Sequence, residues 1–184
     1  MTATSMSRPA VAAYVALGGN LGDVLATFRQ AIAKLNQRAG AVEAVSPAFR
    51  TLAVASEGTN EENPDYWNAV VRLRTLLEPR PLLEVLLAIE VEAGRTRGRL
   101  WAPRTLDLDL LLYADLCIRE SDLTIPHPRL AERGFVLRPL CEIDPDVRVA
   151  TLEATSGELF SRLKDRDAGI LYRLKGWWTA AATP

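Results

Sequence analysis

An α/β (α+β) fold is predicted for this chain by three observations. Short apolar runs with strand-forming residues alternate with two stretches of helical periodicity. Those segments follow one another in the order β-α-β-β-α-β. At 184 residues, with 48% hydrophobic and 24% charged residues, the chain has the make-up of one globular domain with a sizeable core.

The elements follow from the N-terminal side. Residues 12–17 (AAYVAL) form an apolar run that stops at Gly18-Gly19, as a buried strand does. Asp23 is placed to cap a helix running to about Arg38, with Leu25, Phe28, Ile32 and Leu35 at helical spacing and Gly40 ending it. Residues 42–51 are rich in strand formers, and Pro47 marks that strand as an edge or a bulge. Residues 53–64 (AVASEGTNEENP) are polar and aperiodic, an exposed loop. In 65–76 Val71 and Leu73 alternate with Arg72 and Arg74, which is strand patterning. Pro79 and Pro81 open a helix through about Glu92, with Gly94 at its C′ position. Residues 106–113 are apolar enough for a central strand.

This order is the split βαβ of ferredoxin-like folds. Beyond it come a hairpin over 116–125, a short helix near 128–132, and a helix over 135–142 despite Pro139. Thr155-Ser156-Gly157-Glu158 is a capping-box pattern ahead of Leu159, Phe160 and Leu163. The expectation is a single domain over 1–184: a ferredoxin-like βαββαβ core at about 11–165 with an added hairpin and C-terminal helices. Residues 169–184, with Trp177 and Trp178, receive no element.

Composition excludes several classes of function. A net charge of -1 gives no global basic field for nucleic acid, so the arginine cluster described next is local and suits a small anion. Cys117 and Cys141 lack metal-ligand spacing and are too few for a disulfide framework. Residues 1–10 contain no apolar core of a secretory signal, and no apolar run approaches the ~20 residues that cross a bilayer. A cytoplasmic enzyme or binding protein, with no membrane partner, is expected.

The chemistry concentrates in 95–109, RTRGRLWAPRTLDLD. Four arginines, Arg95, Arg97, Arg99 and Arg104, precede Asp107 and Asp109. On a strand the i, i+2 spacing turns both carboxylates to one face, while Leu106, Leu108 and Leu110 take the other. Paired aspartates are hard oxygen ligands of the kind Mg²⁺ uses together with phosphates and water. Arginine offers forked donors to phosphate oxygens. The alternative is plain pairing of the aspartates with Arg95, Arg97 or Arg104. Gly94 and Gly98 flank a loop that can close over phosphates, and Trp101 in it either packs in the core or stacks on a heteroaromatic ring. His127, the only histidine, sits in Ile125-Pro126-His127-Pro128 with Arg133 soon after, placed to donate to phosphate. Tyr66 and Asn68 share a strand face and offer an aromatic and an amide to a flat ring. Gly18-Gly19-Asn20-Leu21-Gly22-Asp23 lacks the lysine and hydroxyl residue of a P-loop and reads as a tight strand-to-helix junction.

Taken together, Gly18-Gly19-Asn20-Leu21-Gly22, Pro64-Asp65-Tyr66-Trp67-Asn68-Ala69, Trp101-Ala102-Pro103-Arg104-Thr105-Leu106-Asp107-Leu108-Asp109, Pro126-His127 and Arg133-Gly134-Phe135 resemble the 6-hydroxymethyl-7,8-dihydropterin pyrophosphokinase family. The resemblance covers about 13–163. It implies a ferredoxin-like fold and transfer of pyrophosphate from ATP to the pterin hydroxymethyl group, leaving AMP, in folate biosynthesis. It also implies two Mg²⁺ ions, arriving with ATP and held by Asp107 and Asp109. By position, the catalytic residues are Arg95, Arg97, Asp107, Asp109, His127 and Arg133. The ATP side would comprise Glu90, Arg97, Trp101, Arg104, Leu110, Thr124, His127 and Arg133. The pterin pocket would comprise Thr51, Val54, Tyr66, Asn68, Trp101, Asp107 and Phe135, with the ring between two aromatics. The expected partners are ATP and the pterin alcohol, and the expected state is a monomer. Gly19 stands where the family usually has Ser, Ala102 where it has Gly, Leu100 where an arginine is frequent, and Asp122 where some members carry an arginine near the nucleotide.

Two rival readings remain. In a nucleotidyltransferase with a Gly-Gly loop and an Asp-x-Asp metal pair the two motifs lie close together, whereas here most of a domain separates them. An RNA-binding module shares the topology, but it would want basic charge and solvent-facing aromatics.

Overall fold

The computed structural model describes residues 9–52, 64–95, 103–164 and 169–179. Residues 53–63 and 96–102 lie outside the described residues, and with them the expected polar loop and most of the arginine loop.

The elements are β1 (Val11–Gly19), α1 (Val24–Arg38), β2 (Ala41–Val45), β3 (Ala48–Thr51), β4 (Tyr66–Thr75), α2 (Pro79–Glu92) and β5 (Asp107–Tyr113). They continue with β6 (Ile118–Arg119), β7 (Thr124–Ile125), α3 (Gly134–Ile143), β8 (Arg148–Val149), β9 (Ala154–Thr155), α4 (Ser156–Arg162) and β10 (Ile170–Leu174). Short 3-10 turns occupy Leu130–Glu132 and Ala150–Leu152.

Local chemistry sets most of the boundaries. The Asp23 side chain accepts from the Ala26 amide at 3.0 Å and starts α1. Pro79 and Pro81 open α2, where a missing N–H costs nothing. The capping box at α4 is present in both directions, between Thr155 and Glu158. Pro139 sits inside α3, and the helix continues through it to Ile143.

The run over 42–51 is two strands, β2 and β3, because Pro47 has no N–H for the ladder. Ser46 repairs the break with its side chain. Its hydroxyl accepts from the Val70 amide at 2.9 Å and donates to the Pro47 carbonyl at 2.7 Å. The expected hairpin and the short helix near 128–132 are present as β6–β7 and the turn Leu130–Glu132.

Six strands form one sheet in the order β10-β3-β4-β1-β5, with β2 also on β4, and every pairing is antiparallel. β1 lies between β4 and β5, and its apolar residues divide between two cores. Ala13, Val15 and Leu17 face Phe28, Leu35, Leu82, Leu86 and Ile89 of α1 and α2. Tyr14 faces Val136, Leu137 and Leu140 of α3. The result is a mixed α/β molecule with helices on both faces of an antiparallel sheet, α1 and α2 on one and α3 and α4 on the other. β10 is a strand that sequence reasoning did not assign, and Trp177 beyond it is buried in the α1–α2 core.

Candidate active site

One row of register-matched residues crosses the sheet: Arg173 of β10, Phe49 of β3, Asn68 of β4, Gly18 of β1 and Asp107 of β5. The residues expected to act on substrate gather on the α3 face of the sheet, along this row and beside it. Leu108 and Leu110 point into the α1–α2 core whereas Leu111 lies in the α3 core, so Asp107 and Asp109 present their carboxylates on the α3 side.

Gly18 leaves the middle of the row open. A Cβ there would lie 3.7 Å from the Asp107 Cβ and 3.9 Å from the Asn68 Oδ1. Gly19 is required by close approach, since its Cβ would come within 2.7 Å of the Thr105 carbonyl.

Asp107 is clamped from two sides. Arg95 Nη1 lies 2.7 Å from Oδ1, and Arg104 Nη1 lies 2.7 Å from Oδ2. Arg95 also pairs with Glu90, a carboxylate only 2% exposed that accepts the Leu108 amide at 2.7 Å. Burial raises the Glu90 carboxyl to about 7, against the opposing pull of the Leu108 amide and Arg95. The carboxylate–arginine pairing weighed from sequence is thus present at Asp107. Asp109 differs, having no ion pair or hydrogen bond to its carboxylate among the described residues. Burial, then the Asp107 charge, holds its carboxyl above the usual range, while His127, Arg133 and Arg95 pull it down.

The cationic side of the site comes from the segment between β7 and α3. The His127 amide donates to the Leu111 carbonyl at 2.9 Å, which fastens this segment beside β5. His127 Nδ1 accepts from the Arg129 amide at 3.2 Å, leaving Nε2 for other partners. Burial lowers the imidazole below its ordinary value against the attraction of Asp109. Arg133 precedes α3, and its guanidinium lies 5.6 Å from the Phe135 ring centroid.

Across Gly18, the Asn68 side-chain amide donates to the Thr51 hydroxyl at 2.9 Å, and both are buried. Thr51 pairs in register with Tyr66. The structure therefore brings together Thr51, Tyr66, Asn68, Asp107 and Asp109 on one face, with Arg95 and Arg104 on Asp107 and with His127 and Arg133 near Asp109. The Leu110 side chain is in the opposite core, so only its backbone is available to a ligand. Thr124 is half-buried on β7. Asp122 is held by Arg80 at 2.5 Å, and Arg80 also binds Glu120. Val54, Arg97 and Trp101 lie outside the described residues.

Two further residues belong to the site. Asn20, 5% exposed, accepts the Arg104 amide at 2.8 Å and donates to the Pro64 carbonyl at 3.2 Å. It joins the approaches to β4 and β5. The buried Thr105 hydroxyl has no hydrogen-bond partner among the described residues, an orphan polar atom at the start of β5. No sequence spacing marks either role, because both depend on chain segments that are far apart until the fold forms.

A family model described as 7,8-dihydro-6-hydroxymethylpterin-pyrophosphokinase matches residues 14–145, which span every described residue of this constellation. The chain belongs to that family. It is 49% identical over 135 residues to the Synechocystis sp. 2-amino-4-hydroxy-6-hydroxymethyldihydropteridine pyrophosphokinase, covering 73% of this chain and 67% of that protein. It is 45% identical over 147 residues to the Bacillus subtilis protein of the same name, covering 79% of this chain and 84% of that one. Pyrophosphokinase activity in folate biosynthesis goes with this membership. Among solved structures, wild-type Plasmodium falciparum HPPK-DHPS with STZ-DHP superposes with a TM-score of 0.71 at 15% identity over 89% of this chain, a likeness of fold alone. The chain spans 45% of that two-enzyme chain. No helix among the described residues is long and apolar enough to cross a membrane.

Proposed function

We propose that this protein transfers the β,γ-pyrophosphate of ATP to the hydroxymethyl oxygen of 6-hydroxymethyl-7,8-dihydropterin, giving AMP and the pterin diphosphate. The observation that supports it best is the Asn68–Gly18–Asp107 row. The residues assigned to the flat ring and the carboxylate pair meet there across one glycine. We read the sheet as a ferredoxin-like βαββαβ core, taking β2 and β3 together as its second strand and β10 as an addition outside it; the antiparallel order β3-β4-β1-β5 supports this. We assign a single domain to 1–184, acting as a cytoplasmic monomer.

Two Mg²⁺ ions fit the donor set. Asp107 and Asp109 are hard oxygen donors on one face, and the half-buried Asp109 carboxylate has no hydrogen bond or close ion pair among the described residues. No cluster of three or more acidic, Cys or His ligands exists among the described residues, so the proposed ions would take their remaining ligands from phosphates and water. When bound, Mg²⁺ would screen the triphosphate and polarise the phosphoryl group.

The residues of the chain do the rest. Tyr66 and Phe135 flank the pterin ring, Asn68 reads its edge, and Thr51 holds the Asn68 amide in place. Val54 and Trp101 complete that pocket. His127 and Arg133 neutralise charge at the α-phosphate, with Glu90, Leu110 and Thr124 on the nucleotide side. Arg104 and Arg95 leave the Asp107 carboxylate for phosphate oxygens, and Arg97 is assigned to the same phosphates. The hydroxymethyl oxygen attacks Pβ in line, its bond to Pβ forms, and the bond from Pβ to the α–β bridging oxygen breaks. AMP departs with that oxygen. Asp109, on the same strand face as Asp107 but without the arginine clamp that holds Asp107, takes the hydroxymethyl proton. The test is turnover of Asp107→Ala and Asp109→Ala. Near-normal rates in either would overturn this assignment.

A further inference from the structure

Residues 169–178 lie beyond the span that the family model matches, and no step of the mechanism above uses them. We propose that this segment positions the pterin pocket, with Trp177 as the positioning residue that fastens β3 from outside. The proposal rests on the pterin reading of Thr51, Tyr66 and Asn68.

β3 is four residues long, and it meets β4 through Phe49–Asn68, Arg50–Trp67 and Thr51–Tyr66. So short a strand, paired on one side only, would be weakly held. β10 supplies the second side, with Ile170 opposite Thr51 and Arg173 opposite Phe49. The Leu52 amide extends this pairing to the Gly169 carbonyl at 2.8 Å.

Trp177 then anchors the start of β3. Its ring is 5% exposed and packs edge-on against Phe28, 5.7 Å between centroids. Its indole N–H donates to the Ser46 carbonyl at 2.9 Å, immediately before the Pro47 break. Its own carbonyl accepts from Arg29 of α1 at 3.1 Å. On the other face Arg173 pairs with Glu142 of α3. Tyr172 meets Trp67 at 6.4 Å between ring centroids. The segment thus touches β3 at both ends and reaches α1 through Trp177 and α3 through Arg173.

The consequence falls on one substrate. β3 carries Thr51, and the Thr51 hydroxyl fixes the Asn68 amide. Release of β3 frees that amide and loosens the Thr51–Tyr66 wall. Asp107 and Asp109 lie on β5, on the far side of β1 from β3, and His127 is fastened to the Leu111 carbonyl of that same strand, so all three keep their places.

Two variants test this. One deletes residues 165–184. The other, Trp177→Phe, keeps a ring on Phe28 but removes the N–H donor to Ser46. Binding of 6-hydroxymethyl-7,8-dihydropterin and of ATP is measured separately by calorimetry, with melting temperatures and steady-state kinetics alongside. The expected result for Trp177→Phe is a pterin Kd and KM raised about threefold to tenfold, with ATP affinity within about twofold of the parent. The deletion should show the same split, larger. If the deleted chain does not fold, Trp177→Phe alone decides. Unchanged pterin affinity in folded variants, or equal losses for both ligands, would overturn the proposal and leave the segment a stability element. Failure of the parent protein to bind the pterin would instead overturn the functional reading on which the proposal rests.

Discussion

Asn68 and Asp107 stand in register on either side of Gly18, on the sheet face that α3 covers. The proposed ring-binding half and the phosphate half of the site are one glycine apart. A Cβ on Gly18 would make ordinary contacts at 3.7 and 3.9 Å, so alanine fits there, whereas the branched methyls of valine would fill the gap. Gly18→Val is expected to fold with a melting temperature near that of the parent. It should lose turnover by about tenfold or more through misplaced reactants, with Gly18→Ala much milder. Paired melting curves and steady-state rates check this, and equal turnover in the valine variant would show that the gap is not used.

Asp109 bears a charge that folding disfavours, since burial and Asp107 both raise its pKa. Asp109→Asn removes that cost while keeping the shape. The variant should melt higher than the parent without Mg²⁺ at pH 7 and lose turnover about a hundredfold or more. A lower melting temperature would mean that the carboxylate serves the fold.

Phe135 lies in the first turn of α3, with the Arg133 guanidinium 5.6 Å from its ring centroid. Phe135→Ala should weaken pterin binding about tenfold and leave ATP binding nearly unchanged. Calorimetry with each ligand alone distinguishes the two, and the reverse pattern would move Phe135 to the nucleotide side.

Glu92 ties α2 to α1 through Lys34 at 2.8 Å and Arg38 at 2.6 Å, and hydrogen bonds from Arg38 and Lys34 lower its carboxyl to about 2. A depressed folded-state pKa means that this contribution is present above the unfolded value near 4.5 and is lost as pH falls towards 2. Glu92→Gln should therefore melt slightly lower than the parent at pH 7, with the difference shrinking below about pH 4. Melting curves over that range in low salt test it. A difference independent of pH would assign the effect to packing.

Much of this is legible in the sequence. Helical spacing with Asp23 marked α1, the paired prolines marked α2, and Thr155 with Glu158 marked the start of α4. The i, i+2 rule put Asp107 and Asp109 on one face because a strand has no other choice. What was not legible depends on contacts distant in sequence. Ser46 replaces the ladder bond that Pro47 forfeits, so one expected strand is two. Trp177 looked like part of an unassigned segment, and its burial needs Phe28 and the Ser46 carbonyl, far away in the chain. Asn20 read as a junction residue, and its second role exists only once Pro64 and Arg104 converge on it.

Release of AMP from ATP, followed with and without 6-hydroxymethyl-7,8-dihydropterin in the presence of Mg²⁺, tests the central claim most directly. The account predicts AMP in step with consumption of the pterin alcohol, and little AMP when either the pterin or Mg²⁺ is left out. AMP formation indifferent to the pterin, or AMP found attached to the product, would contradict it.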